Sequence, residues 1–301
     1  MGKNAPPAPP GLILLRKEPG VTSFESLGAV KRAIGSGKAG HTGTLDKFAE
    51  GLLIALTGKA LKLGRWFTHC DKRYEGTIRF GAETDTLDPE GAVVAEAPPP
   101  SRAGVERALG RFRGKIEQAP PEYSALRIGG ERASALARRG EAPEMKKRPV
   151  EIYALELSSW DPPFAGISVH CSSGTYIRSL ARDIALAAGS RASLSALLRT
   201  RVAGFRLEDA FAPGGGEPFP PPRPPDRAAF EALGLPCLEA GADRARKIAG
   251  GKPLREAMDA PALDGLDASA AAIFCGDALL AVVERAEKGA PWKYGHVYAC
   301  D

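Results

Sequence analysis

Gly40-His41-Thr42-Gly43-Thr44-Leu45-Asp46, continuing as Lys47-Phe48-Ala49-Glu50-Gly51-Leu52-Leu53, is a loop of small and hydroxylated residues followed by an apolar run that can anchor it. Gly43 lets the backbone approach another molecule closely. Thr44 offers a short hydrogen-bonding side chain near the carboxylate of Asp46. These features are typical of a functional site, although a tight turn with a solvated aspartate has the same residues. The surrounding sequence decides between the two interpretations.

Length and composition predict an ordinary globular protein. The chain has 301 residues, of which 44% are hydrophobic and 26% charged, enough for one large core or two domains. No apolar run approaches the roughly 20 residues that a membrane span needs, and residues 1–10 carry prolines where a signal peptide has its hydrophobic region. We therefore expect a cytoplasmic protein with a disordered tail at 1–10.

The five cysteines are far apart and lack Cys-x-x-Cys spacing. Neither a disulfide scaffold nor a zinc knuckle is predicted from such a pattern. His69-Cys70 and His170-Cys171 could supply four ligands, but adjacent ligands are not the usual zinc spacing. We expect no metal.

Charge is distributed unevenly along the chain. Residues 1–67 carry ten Lys or Arg against four Asp or Glu, whereas residues 81–100 carry five acids and no base. Residues 127–148, which begin with Arg127 and end with Arg148, hold seven basic and three acidic residues. Basic segments favour a phosphate-bearing partner, with a solvated surface as the alternative.

Periodicity and turn signals predict the main elements. A capping box at Thr22-Ser23-Phe24-Glu25 predicts a helix to Ile34, and strict alternation predicts a half-buried strand at 73–80. We predict further strands at 11–15, 52–56, 149–160 and 165–171, and helices at 59–67, 101–112, 176–184 and 193–200. Residues 212–225, with seven Pro and three Gly, predict a loop. Beyond it, strand-like runs at 271–275 and 278–283 indicate a small β-rich module.

Two Thr-Leu-Asp sequences compete as the site, and the one at Asp46 is favoured. Asp88 lies in an acidic turn before Pro89, where an aspartate commonly bonds its own backbone. Asp46 lies in a basic neighbourhood, where a carboxylate stays ionised and can meet a polyanion. Arg178 lies in the first turn of a predicted helix, where a cation is disfavoured, so it is expected to have a dedicated acidic partner.

Six motifs occur in order across residues 11–210. They are Lys17 with Gly20-Val21-Thr22-Ser23; Gly40 to Asp46 with Gly51-Leu52-Leu53; Lys72-Arg73-Tyr74 with Thr84-Asp85-Thr86 and Asp88; Gln118-Ala119-Pro120-Pro121-Glu122-Tyr123-Ser124-Ala125; Gly174-Thr175-Tyr176-Ile177-Arg178-Ser179-Leu180; and Leu197-Leu198-Arg199 before Gly204-Phe205. Together they resemble the bacterial TruB family of pseudouridine synthases, which modify uridine 55 of tRNA.

The resemblance implies an α/β (α+β) fold: a catalytic domain at 11–236, built on a mixed, largely antiparallel sheet flanked by helices, and a small β-rich PUA-like RNA-binding module at 237–301. It implies a cytoplasmic tRNA-modifying isomerase that flips a uridine of the T-loop, breaks its glycosidic bond and rejoins the base through carbon, without a cofactor. The expected partner is the T-arm of tRNA, bound by a monomer.

Matched residue by residue, Asp46 is similar to the catalytic aspartate, Tyr74 to the tyrosine that stacks on the target base, and Arg178 to the arginine paired with the aspartate. His41 is similar to a histidine that holds the rearranged RNA loop. We also expect RNA contacts from Lys17, Gly43, Thr44, Arg127 and Arg148.

The sequence departs from the family pattern at two places: Lys47 replaces a proline after the aspartate, and Glu18 separates Lys17 from Pro19, where the family usually has the proline directly after the lysine. A non-catalytic tRNA-binding or tRNA-folding module on the same scaffold therefore remains an alternative. A carboxylate-dependent hydrolase is disfavoured, because no second carboxylate is clearly paired with Asp46. Whether Asp46 attacks the sugar, attacks the base or accepts a proton is left open.

Overall fold

The computed structural model describes residues 8–35, 37–141, 144–214, 217–258 and 263–298. The predicted tail at 1–10 lies outside the described residues as far as residue 7. Its last part is packed, since Ala8 is buried and the Thr57 hydroxyl donates to the Pro9 carbonyl at 2.6 Å.

The strands of the described residues are β1 (Gly11–Lys17), β2 (Ala39–His41), β3 (Glu50–Thr57), β4 (Lys72–Phe80), β5 (Ala82–Thr84), β6 (Val93–Glu96), β7 (Gly114–Gln118), β8 (Arg127–Ile128), β9 (Glu131–Arg132), β10 (Arg148–Asp161), β11 (Phe164–Cys171), β12 (Ala192–Val202), β13 (Phe205–Arg206), β14 (Cys237–Glu239), β15 (Ala270–Cys275), β16 (Ala278–Glu284) and β17 (Lys293–Val297). The α-helices are α1 (Ser23–Ala33), α2 (Gly64–Thr68), α3 (Arg102–Gly110), α4 (Ala133–Arg138), α5 (Ile177–Ala187), α6 (Arg227–Ala232), α7 (Ala242–Ala249) and α8 (Leu254–Ala257), with 3-10 helices at Gly58–Leu63 and Leu207–Asp209.

Nine strands form the central sheet. Their order is β1-β3-β12-β4-β11-β10-β7, with β2 on β3 and β13 on β12. Only the β3–β12 pair is parallel, so the predicted mixed, largely antiparallel sheet is confirmed. The helices α3 and α5 contribute Val105, Leu109, Leu180 and Ile184 to a core that covers one face of this sheet.

One row of residues runs straight across five neighbouring strands. Lys17 pairs with Gly51, Gly51 with Arg199, Arg199 with Tyr74, and Tyr74 with Val169. Residues in register across a sheet project to the same side. The row therefore places Lys17, Arg199 and Tyr74 together.

Local signals predicted α1 and β4 correctly. Thr22 and Glu25 form both hydrogen bonds of the capping box, and in β4 the side chains alternate between buried and more exposed, beginning with buried Lys72 and Tyr74. The predicted helix at 193–200 is wrong, because these residues form β12. A bulge lies between Leu194 and Ala196. It inserts one residue, so the buried Leu194 and Leu197 are three apart and imitate a helical repeat.

A second sheet, of four strands, has the order β14-β15-β16-β17. It includes the predicted strands at 271–275 and 278–283. Its Phe274 packs on Phe230, with ring centroids 5.8 Å apart, and belongs to the same hydrophobic cluster as Leu52 and Phe205 of the central sheet. The two sheets therefore share a continuous core.

The proline-rich stretch follows the outer edge of the central sheet. Residues 212–214 and 217–225 form no helix or longer strand. Leu12 and Arg223 exchange backbone hydrogen bonds of 2.8 and 2.9 Å, and Phe211 donates to the Leu14 carbonyl at 2.9 Å. The loop thereby covers the free edge of β1. Among the described residues, none of the helices has the length and apolar character that crossing a membrane requires.

Candidate active site

The carboxylate of Asp46 is fixed by a two-pronged ion pair with Arg178. Nε of Arg178 donates to Oδ2 at 2.9 Å, and Nη2 donates to Oδ1 at 2.9 Å. The Arg178 side chain is 4% exposed, whereas that of Asp46 is 34% exposed. A buried arginine thus holds a carboxylate that solvent can still reach. The sequence argument that Arg178 needs an acidic partner is confirmed.

Arg178 is held by further contacts of its guanidinium. Nη2 also donates to the Tyr123 carbonyl at 3.0 Å, and Nη1 donates to the Thr86 carbonyl at 2.6 Å. Nη1 lies 3.3 Å from Oδ2 of Asp88 as well. Of the five N–H donors of a guanidinium, four therefore form hydrogen bonds, and the contact with Asp88 adds an ion pair. Its position is therefore overdetermined.

Asp88 belongs to this site, which corrects its dismissal as a rival of Asp46. It does bond its own turn, accepting from the Thr86 hydroxyl at 2.6 Å and from the Glu90 amide at 3.0 Å. It also shares Arg178 with Asp46, so a second carboxylate is present after all. Burial raises the pKa of Asp88, against the opposing effects of the Thr86 hydroxyl and Arg178.

Lys17 supports the loop that carries Asp46, and this corrects its assignment to RNA contact. Its side chain is 1% exposed. Its ammonium donates to the carbonyls of Glu18 at 3.0 Å, Lys47 at 3.2 Å and Ala49 at 2.5 Å. Burial is the main cause that lowers its pKa from 10.5 to about 8, with Asp46 opposing. RNA cannot reach a group that is enclosed in this way.

Ser23 secures the same loop from the other side. Its hydroxyl donates to the Leu45 carbonyl at 3.0 Å and accepts from the Leu45 amide at 2.8 Å. Ser23 is the first residue of α1. The first residue of α1 is therefore hydrogen-bonded to Leu45, the residue immediately before Asp46.

Arg199 is a functional residue that sequence reasoning missed. It is 2% exposed, donates from Nε to the Leu52 carbonyl at 2.7 Å and from Nη2 to the Gly43 carbonyl at 3.1 Å, and lies opposite Tyr74 on the neighbouring strand. It thus ties the loop to the sheet. The motif Leu197-Leu198-Arg199 was visible, but the predicted helix hid that Arg199 faces the same side as Tyr74.

Gly51 makes the close approach between β3 and β12 possible. Its φ is +114°, and a Cβ at this position would lie 2.4 Å from the backbone oxygen and 2.6 Å from the backbone nitrogen of Arg199. Only glycine accepts both conditions. The sequence therefore brings Arg199 directly beneath the loop.

Tyr74 and His41 both lie near this arginine. Tyr74 is 7% exposed and packs with Leu45 and Ala49; burial raises its pKa. A base that stacks on Tyr74 must therefore enter the space that this packing now fills. His41 is half-buried, its Nδ1 has no hydrogen-bond partner among the described residues, and its pKa is lowered first by burial and then by Arg199.

The remaining predicted RNA contacts lie at different places. Thr44 is exposed beside Asp46, and Gly43 is half-buried on Arg199. Arg127 and Arg148 are exposed at the starts of β8 and β10, and among the described residues neither forms a hydrogen bond or ion pair with Asp46. Lys47, the departure from the family pattern, points to Glu90 at 3.1 Å.

The arrangement is suited to chemistry that needs a fixed, accessible carboxylate. Such a group can act as a nucleophile or as a proton acceptor, in the way that carboxylates act on glycosidic bonds. Within the described ranges no three His, Cys, Asp or Glu side chains are grouped so that they could hold a metal ion.

Comparisons with known proteins point to one family. Residues 31–177 match the model described as TruB family pseudouridylate synthase (N terminal domain). A tRNA pseudouridine synthase B of Borreliella burgdorferi (strain ZS7) is 45% identical over 203 residues, which cover 66% of this chain and 72% of that protein. The protein of the same name from Treponema denticola is 45% identical over 219 residues, which cover 66% of this chain but only 61% of the relative.

Solved structures agree on the fold. The crystal structure of a Cbf5-Nop10-Gar1 complex matches with a TM-score of 0.67 at 22% identity, covering 95% of this chain and 84% of the other. A structure of an H/ACA RNP bound to a substrate RNA containing 2'-deoxyuridine matches with the same score, identity and coverage. At this identity the likeness establishes the fold alone.

Proposed function

We propose a function for this chain from one premise: it belongs to the TruB family of pseudouridylate synthases. We infer that it isomerises uridine to pseudouridine in tRNA, at position 55 of the T-loop. The observation that carries the proposal is the Asp46 carboxylate, held in a two-pronged pair by a buried arginine while one third of its surface stays accessible.

The reaction begins with extrusion of the uridine from the RNA stack, at a cost of a few kcal/mol. Stacking on an aromatic ring returns about 1–3 kcal/mol. Tyr74 supplies that ring once the base displaces the side chains packed on it. Arg199, opposite Tyr74 on the neighbouring strand, supports the ring while the base enters.

The chemistry breaks the bond between N1 and the sugar C1′, turns the base, and forms a bond between C5 and C1′. N1 gains a proton and C5 loses one, so product and substrate are isomers and no co-reactant is needed. Asp46 acts on the sugar, on the base or as the proton acceptor. In each case Arg178 fixes its direction of approach, and exact positioning can be worth orders of magnitude in rate.

We propose that residues 11–236 form the catalytic domain and that residues 237–301 bind RNA as a PUA-like module. The exposed bases Arg127 and Arg148, with Thr44 and the backbone at Gly43, are proposed RNA contacts. His41, which is half-buried at the start of the loop that carries Asp46, is proposed to hold the rearranged RNA loop.

The test replaces Asp46 by Asn. We expect D46N to bind a transcribed tRNA normally and to release no tritium from uridine labelled at C5, because the amide cannot act as nucleophile or base. The matched control is D183N, since Asp183 forms a comparable 2.8 Å pair with Arg182 on the same helix as Arg178. D183N should keep its activity.

The outcomes separate the candidate functions. Retained turnover by D46N would refute the catalytic assignment. A wild-type protein that binds tRNA but forms no pseudouridine would instead favour the non-catalytic binding or folding module. Binding that does not depend on salt would contradict both RNA functions.

A further inference from the structure

Phe24 is the most exposed large hydrophobic side chain of the described residues. It is 69% exposed, and Val21 next to it is 37% exposed. A single exposed apolar residue needs no explanation by itself. The position of this one, and the charges around it, make it informative.

The backbone of Phe24 is held in position relative to the loop that carries Asp46, called here the catalytic loop. Phe24 is the second residue of α1, directly after Ser23, whose hydroxyl makes two hydrogen bonds to the backbone of Leu45. Asp46 follows Leu45. The capping box of Thr22 and Glu25 fixes the first turn of the helix. Movement of Phe24 relative to Asp46 is therefore restricted by the same contacts that hold the loop.

One cation lies over the ring, and a second follows it in the chain. Nζ of Lys31 lies 4.6 Å from the centroid of the Phe24 ring. Neither Lys31 nor Arg32 has an acidic partner among the residues that the structure describes. A cation on an aromatic face stabilises the pair by a modest amount at an exposed site. Both positive charges remain available to a polyanion.

We propose that Phe24 is a stacking platform for an unpaired nucleobase of the substrate RNA, with Lys31 and Arg32 neutralising the adjacent phosphates. The inference rests on the proposed function and adds a binding site to it. Single-stranded RNA is recognised by aromatic side chains that stack on bases, combined with basic residues along the backbone. When a uridine leaves its loop for Asp46, a neighbouring base loses a stacking partner, and Phe24 replaces that partner.

The experiment measures tRNA affinity of the full chain in the D46N background, so that its result does not depend on turnover. F24A should weaken binding of a tRNA transcript by about 5- to 150-fold, the equivalent of one lost stacking contact. F24W should restore it. The matched control is F164A, since Phe164 is 40% exposed and begins β11, away from the catalytic loop.

Salt dependence separates stacking from charge. F24A should leave the slope of log affinity against log salt unchanged, whereas K31M and R32M should each reduce it by about one phosphate contact. In addition, 2-aminopurine is placed at successive positions of the T-loop. At one position its fluorescence should be quenched by the D46N protein that retains Phe24 and not by the same protein with F24A.

Specific outcomes would overturn the inference. If F24A and F164A bind within about twofold of each other, or if no 2-aminopurine position responds to Phe24, the ring does not stack on RNA. Weaker binding by F24A that leucine restores as well as tryptophan would show that an apolar side chain is enough and would overturn stacking. D46N activity, tested separately, decides the proposed function itself.

Discussion

Replacing Arg199 tests whether this buried side chain positions the loop that carries Asp46. The side chain is 2% exposed and donates to the buried carbonyl of Leu52 at 2.7 Å and to the partly buried carbonyl of Gly43 at 3.1 Å. A hydrogen bond from a charged group contributes roughly 1.5–3 kcal/mol. R199M should therefore lower the free energy of unfolding by about 3–5 kcal/mol, and R199K, which can satisfy only part of this set, by about half as much.

The effect on catalysis follows from Gly43, which lies three residues before Asp46. Freeing this end of the loop misplaces the carboxylate, and displacement by about 1 Å can slow an enzyme 100-fold. We expect kcat to fall about 10- to 100-fold in R199K, with KM for tRNA much less affected, because the RNA-facing surface is unchanged. Urea denaturation and steady-state tritium release measure the two effects.

The control for both measurements is R201M. Arg201 lies on the same strand, is only partly buried, and bonds one carbonyl, that of Ala203, at 2.5 Å. The reasoning is refuted if R199M and R199K lose no more stability or kcat than R201M does. Equal losses in kcat and in affinity would also contradict it.

Three further changes test the rest of the site. Burial lowers the Lys17 pKa from 10.5 to about 8, so the native state loses this proton at a lower pH than the unfolded state does. The free energy of unfolding of the wild type should therefore rise by about 2 kcal/mol between pH 8 and 10 relative to that of K17M, as measured by urea denaturation. G51A should lower stability by about 3 kcal/mol or more, since its Cβ would meet backbone at 2.4 Å, whereas G189A, with φ +74° and open space, should lose only about 1–2 kcal/mol. D88N should slow single-turnover isomerisation about 5- to 30-fold, because the substitution replaces one of the two carboxylates that pair with Arg178, at 3.3 Å, by a neutral amide. An unchanged rate would show that Asp46 alone fixes the position of the Arg178 side chain.

Local signals in the sequence predicted much of the fold and the need of Arg178 for an acidic partner. The capping box at Thr22 and Glu25 depends on residues three apart, and the alternation around Tyr74 depends on period two, so both are readable without tertiary information. The electrostatic misfit of Arg178 at a helix start predicted that it has an acidic partner, and the family resemblance implied that this partner is Asp46. Motif resemblance then indicated the family.

The errors have a common physical origin in burial and register. Lys17 looks like a surface cation until the fold encloses it with three carbonyls. The helix predicted at 193–200 arose because a bulge changes the spacing of buried residues. Asp88 was dismissed from its turn sequence, although its position relative to Arg178 depends on contacts between residues 90 apart in the chain. Single-sequence patterns carry no information on such contacts.

The buried site has more positive than negative charges, because most of its cations bind neutral carbonyl groups and not carboxylates. Arg178 faces two carboxylates, whereas Lys17 and Arg199 bind carbonyls. Lys72, whose pKa is lowered by burial and then by Arg199 to about 8, likewise donates to the Thr68 and Cys70 carbonyls at 3.0 and 2.6 Å.

Four buried cations thus lie around Asp46 and Asp88, while the other acids that act on Lys17 and Lys72, namely Glu50, Glu90 and Asp71, are more exposed. Carbonyl dipoles hold the buried excess without neutralising it. A buried excess of positive charge is screened less by salt than a surface patch, and it lowers the energy of an anion at Asp46. The same field attracts the phosphates on either side of an extruded nucleotide. Holding these cations with carbonyls therefore serves two needs of the proposed reaction at once: it keeps a negative carboxylate in a partly buried position and it favours the entry of a polyanion beside it.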